Sequence, residues 1–312
     1  MKTLVDMKGQ KIAGEMLSRY HSGNIPPLLI FHGPDGTGKW SAAEAFVHQN
    51  LCDVGTACGS CPSCRKVMRG EHADFIQFPE AKTAIGDEED PAPFTIRWLL
   101  QTRICFTPFD GELRFVLFPR ADLILNEAET ALLKTLEEPP DHSRFIFIVS
   151  DLELLKPTVQ SRGIAIPFQR MPDISVSEIT GETNPEILEL LGGSLHLYPF
   201  FQSSLYHEMK EKIQEGFSHP MSLLELEKWL HSQDKKHFSE YFPEKDYSYD
   251  EIIDIFGMIL LKESSTHPSR NELNEIVFDF KKNLHRDVPG LFPYLTGRLF
   301  HNLMAVLFRS KN

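Results

Sequence analysis

The stretch from Ile30 to Ser41, Ile-Phe-His-Gly-Pro-Asp-Gly-Thr-Gly-Lys-Trp-Ser, constrains this chain more than any other. Gly33, Gly36, Gly38 and Lys39 stand at the spacing of a phosphate-binding loop, after the apolar run Leu28 to Phe31 and before the helix-like run Ser41 to Gln49. That order, strand then loop then helix, is the context the motif requires; an ordinary strand-to-helix turn is the alternative. Glycines let backbone N–H groups crowd a phosphate, the helix N-terminus adds positive potential, and the lysine neutralises outer phosphates. One part is missing. The residue after the lysine should offer a hydroxyl to Mg2+, and Trp40 has no oxygen to offer. Ser41 lies one residue too late and points about 100° away on a helix.

A loop of this kind needs a parallel sheet around it, and the sequence supplies the strands. Asp74 to Phe78, Arg114 to Phe118, Phe145 to Val149 and Ile164 to Phe168 join Leu28 to Phe31 as short runs separated by helical patterns. Several are continuously apolar, as in strands covered on both faces, so the expected class is α/β with a doubly wound parallel sheet. Residues 1–27 read as an entry helix with Ile12, Met16 and Leu17 near helical spacing, and Gly86 to Pro93 as a solvated acidic loop. Ile96, Leu99, Leu100 and Ile104 mark a helix face, and Cys105 just past it reads as a small buried hydrophobe. Asn126, with Glu129 three residues on, is placed to cap a helix that buries Ala128, Ala131, Leu132 and Leu136 and stops at Pro139-Pro140. Asn184-Pro185 starts a short helix and Gly192-Gly193 stops it. After Arg170 the strand signals end. Helical stripes follow at Leu223, Leu226 and Leu230; at Ile252, Ile255, Phe256 and Ile259; at Leu273, Ile276, Val277, Phe280 and Leu284; and at Leu295, Leu299, Leu303 and Leu307.

Four of the five cysteines, Cys52, Cys58, Cys61 and Cys64, fall within thirteen residues. Two overlapping C-x2-C steps suit a tetrahedral Zn2+, and Cys52 can complete a four-thiolate shell that is structural because no open position remains. An iron–sulfur cluster and reactive or disulfide-paired thiols are the rivals. The ferredoxin run continues x3-C-P, whereas the next cysteine here is Cys105. Disulfides suit a cytoplasmic chain poorly, and the cytoplasm is the expected location: there is no h-region at the N-terminus and no membrane-length apolar stretch. Lys and Arg number 32 against 44 Asp and Glu, a net charge of -12, which argues against a broad basic face gripping nucleic acid.

Four features together carry a resemblance along nearly the whole chain: the Gly-Pro-Asp-Gly-Thr-Gly-Lys loop, the four-cysteine insert, the run Ala131 to Pro140 (Ala-Leu-Leu-Lys-Thr-Leu-Glu-Glu-Pro-Pro), and Pro157 to Arg162 (Pro-Thr-Val-Gln-Ser-Arg). The chain resembles the delta-prime family of bacterial DNA polymerase III clamp-loader subunits, within the AAA+ superfamily. The resemblance implies a RecA-like AAA+ domain over 1–168 with a zinc-binding insert near 52–64, a small helical lid over 169–205, and an all-α collar over 206–312 that joins a five-subunit ring. Its implied partners are gamma/tau-type and delta-type subunits, with the sliding clamp and primer-template DNA reached through the complex and no membrane. It also implies that Arg162 serves as an arginine finger in trans, with a structural salt bridge as the alternative for that residue.

Departures from the family's active ATPases point the same way. Phe118-Pro119-Arg120-Ala121-Asp122 stands where those carry an Asp-Glu pair. Asp122 lies three positions past the lost aspartate and reads as a helix cap. His196 replaces the lid arginine that senses nucleotide, and Gly163 replaces the cysteine of the Ser-Arg-Cys motif. The expected function is therefore a non-hydrolysing clamp-loader subunit with a doubtful ATP site and one structural zinc. The alternatives are an ATP-hydrolysing gamma/tau-type motor subunit and a free-standing zinc-dependent nucleic-acid binder, which net -12 disfavours.

Overall fold

The computed structural model describes residues 7–21, 23–232, 249–284 and 291–308. It contains two compact units, Met1–His196 and Leu197–Asn312.

The first unit is built on strands β1 (Leu28–His32), β2 (Phe75–Gln77), β3 (Arg114–Phe118), β4 (Ser143–Val149) and β5 (Ile164–Pro167). They form one parallel sheet in the order β2-β3-β4-β1-β5, with Leu28 opposite Phe145 and Leu29 opposite Ile164. The strands are largely apolar because alternate side chains enter two different cores. Leu29, Phe31, Phe115, Leu117, Ile146 and Ile148 pack on one face against helices α1 (Lys11–Leu17) and α2 (Lys39–Leu51). Leu28, Ile30, Val116, Phe118, Phe145 and Phe147 pack on the other against α4 (Ile96–Leu99), α5 (Asn126–Glu137) and α6 (Pro157–Gln160). A short α3 (Pro62–Met68) follows α2, and α7 (Asp173–Thr180) and α8 (Pro185–Leu191) close the unit. β1 is an interior strand, flanked by β4 and β5, and its carboxyl end is the switch point where an open α/β sheet binds ligands.

Several local expectations change. Among the described residues the entry helix is α1, with Ile12 half exposed while Ala13 and Leu17 enter the core, and residues 1–6 lie outside the described residues. Cys105 is exposed, not buried: it lies just past a π-helical turn (Leu100–Ile104), and its thiol donates to the Gln101 carbonyl at 2.7 Å. Asn126 is the first residue of α5 and makes no capping bond. Its expected partner Glu129 is drawn instead to Lys156, 2.5 Å away, because a nearby cation outbids an uncharged backbone donor for a carboxylate. The α8 signals behave as read: Asn184 accepts from the Glu186 N–H, and Gly192 is the left-handed cap.

In the second unit the described elements are all helical: α9 (Tyr198–Phe201), α10 (Ser204–Ser218), α11 (Pro220–Ser232), α12 (Tyr249–Glu263), α13 (Arg270–Leu284) and α14 (Leu291–Leu307), with one 3-10 turn at Ser264–Thr266. Leu223, Leu226, Leu230, Ile255, Phe256, Ile259, Leu273, Val277, Phe280, Leu299 and Leu303 are buried, so the stripes are core faces. The side chains of Ile252, Leu284 and Leu295 lie outside the described residues. Among the described residues no helix is long and apolar enough to cross a membrane.

Candidate functional site

The glycine-lysine loop joins β1 to α2, as its spacing predicts. Gly33 has φ +136°, and a Cβ there would sit 2.0 Å from the Phe168 carbonyl oxygen. Gly36 has φ +69°, and its Cβ would lie 2.2 Å from the His196 nitrogen. Both positions thus demand glycine for close backbone approach as well as for conformation. Gly38 caps α2 in the left-handed region. Lys39 is buried, and its ammonium donates to the Gly33 carbonyl, to the Pro34 carbonyl at 2.8 Å and to Asp35 at 3.5 Å. Burial holds its pKa below the ordinary lysine value, with Asp35 pulling the other way.

Two residues that carried no motif signal stitch this loop in place. Gln10, buried in the segment before α1, donates to the carbonyls of Thr37 (3.1 Å) and Gln169 (2.6 Å) and accepts from the Gln169 N–H (3.0 Å). Ser194 donates its hydroxyl to the Asp35 carbonyl at 2.7 Å, and the Leu195 N–H reaches the Gly36 carbonyl at 2.9 Å. His196 is half-buried, its own N–H on the Ser194 hydroxyl. A glutamine in a short polar segment has no sequence signature for such a role; only the fold brings residues 10, 37 and 169 together.

The donor set does not fit a magnesium ion. Trp40 packs against the apolar core beside the loop, and Thr37 spends its hydroxyl on the Pro34 carbonyl at 2.7 Å. Past β3, Arg120 clamps Asp122 through two bonds of 3.1 and 2.8 Å. Asp122 therefore does not cap the short turn it occupies, contrary to expectation; the bidentate guanidinium outcompetes a backbone donor. Hydrogen bonding to Asp122 in turn raises the Arg120 pKa. A hard dication needs several free oxygen ligands near a phosphate, and this end of the sheet presents a guanidinium, an indole and a proline.

The cysteine module leaves the end of α2. Cys52 is the extended residue after that helix, and Cys61 precedes Pro62 at the start of α3. The four sulfurs lie within 4.8 Å of one another, with Cys52 to Cys61 at 4.0 Å and Cys58 to Cys64 at 3.9 Å. Metal–sulfur bonds of about 2.3 Å in a tetrahedron put sulfurs about 3.8 Å apart, so the cluster already has the dimensions of a Zn(Cys)4 shell. Backbone N–H groups of Cys58 and Cys64 point at the sulfurs of Cys52 and Cys61, at 3.4 and 3.3 Å. Burial raises the Cys52 thiol, but bonds from the N–H groups of Cys58, Val54 and Thr56 outweigh it and bring the pKa down to about 6. Burial pushes the Cys64 thiol up. Four thiolates this close cannot coexist by themselves; a bound dication would remove the conflict.

Arg162 follows α6 at the rim of the unit. Its guanidinium donates to Glu137 on α5, to the Thr158 carbonyl, and to the Ser161 hydroxyl at 3.4 Å. The next residue explains a departure noted in the sequence. A Cβ at Gly163 would come within 2.6 Å of Ile30 Cδ1 and 3.0 Å of Leu28 Cδ2, so the backbone there runs directly against β1. A site missed altogether is the ion pair between Asp74 and Arg114, both fully buried, at 3.1 Å. Arg114 also donates to the carbonyls of Arg103, Phe106 (2.8 Å) and Thr107 (3.0 Å), while Asp74 accepts from the N–H groups of Phe109 and Asp110.

Sheet, loop and flanking helices define a P-loop domain of the AAA+ class. Within that class, the chain belongs to the family described as DNA polymerase III, delta subunit, whose model matches residues 9–172. The tau subunit of DNA polymerase III from Escherichia coli (strain K12) is 30% identical over 166 residues, covering 52% of this chain and 24% of that protein. The tau subunit from Bacillus subtilis (strain 168) is 31% identical over 175 residues, covering 54% of this chain and 29% of that protein. The chain thus matches less than a third of the length of these curated relatives. A crystal structure of a DNA polymerase III gamma subunit-related protein from Thermotoga maritima MSB8 shares the fold, with a TM-score of 0.53 and 15% identity over 95% of this chain and 97% of that one.

Proposed function

We propose that this protein is a non-hydrolysing subunit of the DNA polymerase III clamp loader, of the delta-prime type, that presents Arg162 to the nucleotide of a neighbouring subunit. The observation that carries the reading is the loss of the magnesium ligand set, with Trp40 beside Lys39 and the Arg120–Asp122 pair past β3. Phosphoryl transfer is catalysed by positioning and by metal and charge stabilisation, so a loop without its metal oxygens keeps an architecture and loses a reaction. Arg162 retains the property a finger needs, a planar fork at a domain rim. The second, helical unit supplies assembly with gamma/tau-type and delta-type subunits, and the sliding clamp and primed DNA are engaged through that complex. Cys52, Cys58, Cys61 and Cys64 hold one structural zinc, which the sulfur spacing supports.

Similarity to proteins named tau favours one competing reading, a motor subunit that hydrolyses ATP itself. Steady-state hydrolysis by the isolated chain separates the two. The proposed role gives no turnover above background with ATP and Mg2+; turnover that disappears on Lys39→Ala would establish the motor instead.

A further inference from the structure

The segment that carries Arg162 is splinted along α5 by two ion pairs of unlike character. Glu129 pairs with Lys156 at 2.5 Å, and the carboxylate is largely buried, its side chain 11% exposed. Eight residues further along α5, Glu137 pairs with Arg162, and here the carboxylate is 50% exposed. Between these points Val159 is buried, and Gln160 donates to the carbonyls of Leu152 (3.0 Å) and Leu155 (2.8 Å). The base of the segment is therefore fixed, and Gly163 locks its exit against β1. The Arg162 side chain is itself 28% exposed, against 41% for Lys156, and of its acceptors, Glu137, the Thr158 carbonyl and the Ser161 hydroxyl, Glu137 is the charged one and is half exposed.

The position of Glu137 works against its own helix. It is the last residue of α5 and is followed by Glu138, at the negative end of the helix dipole where cations are preferred. Lys134 in the same turn is the local answer to that dipole. A carboxylate at that end gains most from a cation brought by another segment, and Arg162 is the cation given to it. An exposed pair of this kind is weak, whereas a guanidinium facing phosphate in a closed interface makes stronger, bidentate bonds.

We propose that Glu137 is a positioning residue for Arg162: its carboxylate holds the guanidinium at the end of α5, and yields it to the terminal phosphate of a neighbouring subunit's nucleotide. This rests on Arg162 acting in trans, as proposed above. The pair is an exchange site in which one anion replaces another, so the finger is preformed before the interface closes and is unmasked by triphosphate.

The test uses clamp-loader complexes reconstituted with this chain as wild type, Glu137→Gln, Glu137→Ala, Arg162→Ala and the Glu137→Gln/Arg162→Ala double variant, with ATP as the probe and kcat and KM measured separately. Glu137→Gln removes the competing charge and keeps an acceptor, so KM for ATP falls about 1.5- to 5-fold with little change in kcat. Glu137→Ala lowers kcat because the fork is no longer held. In the Arg162→Ala background Glu137→Gln shifts nothing. An unchanged KM in Glu137→Gln, or the same shift with and without Arg162, overturns the role of Glu137 while leaving the finger intact. A complex whose hydrolysis is indifferent to Arg162→Ala overturns the finger itself, and this proposal with it.

Discussion

Asp74→Ala isolates the buried charge that organises the edge of the sheet. Arg114 and Asp74 are both fully buried, so neither charge is screened by solvent. Removing one member of a buried pair costs about 3–5 kcal/mol, because the remaining ion keeps its desolvation penalty without its partner. Two further acceptor contacts vanish, to the N–H groups of Phe109 and Asp110, but these residues are exposed and water replaces them cheaply. The expected loss is about 4 kcal/mol, a large share of the stability of any domain. For a unit of this size that lowers Tm by about 10 °C. Urea titration and thermal unfolding measure it directly. Limited proteolysis should also cut first between residues 103 and 110, whose carbonyls and amides the pair secures. Asp74→Leu combined with Arg114→Met should restore most of the loss, since no charge then remains buried. A single variant that loses less than about 1 kcal/mol would refute the reasoning.

Purified protein should carry one zinc per chain; elemental analysis checks this, and removal by a chelator should lower Tm and expose four thiols to titration, whereas bound iron or four freely reacting thiols at the outset contradicts the assignment. Gly163→Cys should destabilise by about 1–3 kcal/mol through overpacking against Ile30 and Leu28, as read by denaturant midpoint. Acid should destabilise the first unit through His48 and His72, both buried, each with a ring nitrogen lacking a partner, and each with its pKa lowered by burial. The unfolded chain takes up those protons below about pH 6.5 while the folded one resists. Stability is therefore complete above that value and falls as pH drops, by at most about 1.4 kcal/mol per pH unit for each histidine. Titrating Tm from pH 7.5 to 5.5 in wild type and His48→Phe tests the sign.

What the sequence reveals and what it hides follow from locality. Strands β1, β3 and β4 were legible because a strand covered on both faces reads as a near-continuous apolar run, here interrupted by His32 at the end of β1, Arg114 at the start of β3 and Ser143-Arg144 at the start of β4. The cysteine cluster was legible because its four residues lie within thirteen positions of one another. The capping readings at Asn126 and Asp122 failed for different reasons: α5 begins one residue early, so that Leu125 stands at the cap and Asn126 is already helical, whereas Arg120 claims the carboxylate of Asp122. Cys105 was misjudged because a π-helical turn carried it to the surface. Arg114 sits in a strand where a charge signals nothing until Asp74 is found opposite it, forty residues away in the chain. Gln10, Ser194 and Glu137 were invisible because their roles arise from tertiary contacts to the P-loop and to Arg162.

The central claim is that a chain without a magnesium site still supports catalysis through one guanidinium. Its most direct test is the DNA- and clamp-stimulated ATPase of a reconstituted complex carrying Arg162→Ala in this subunit alone. A finger is worth on the order of 10³ to 10⁵ in rate at the site it serves, so hydrolysis at that one site should cease, with assembly and zinc content unchanged. Arg162→Lys should fail nearly as badly, since an ammonium cannot reproduce the fork. A complex that hydrolyses ATP and loads clamps at the unmodified rate with Arg162→Ala would make Arg162 no more than the partner of Glu137 and would contradict the account.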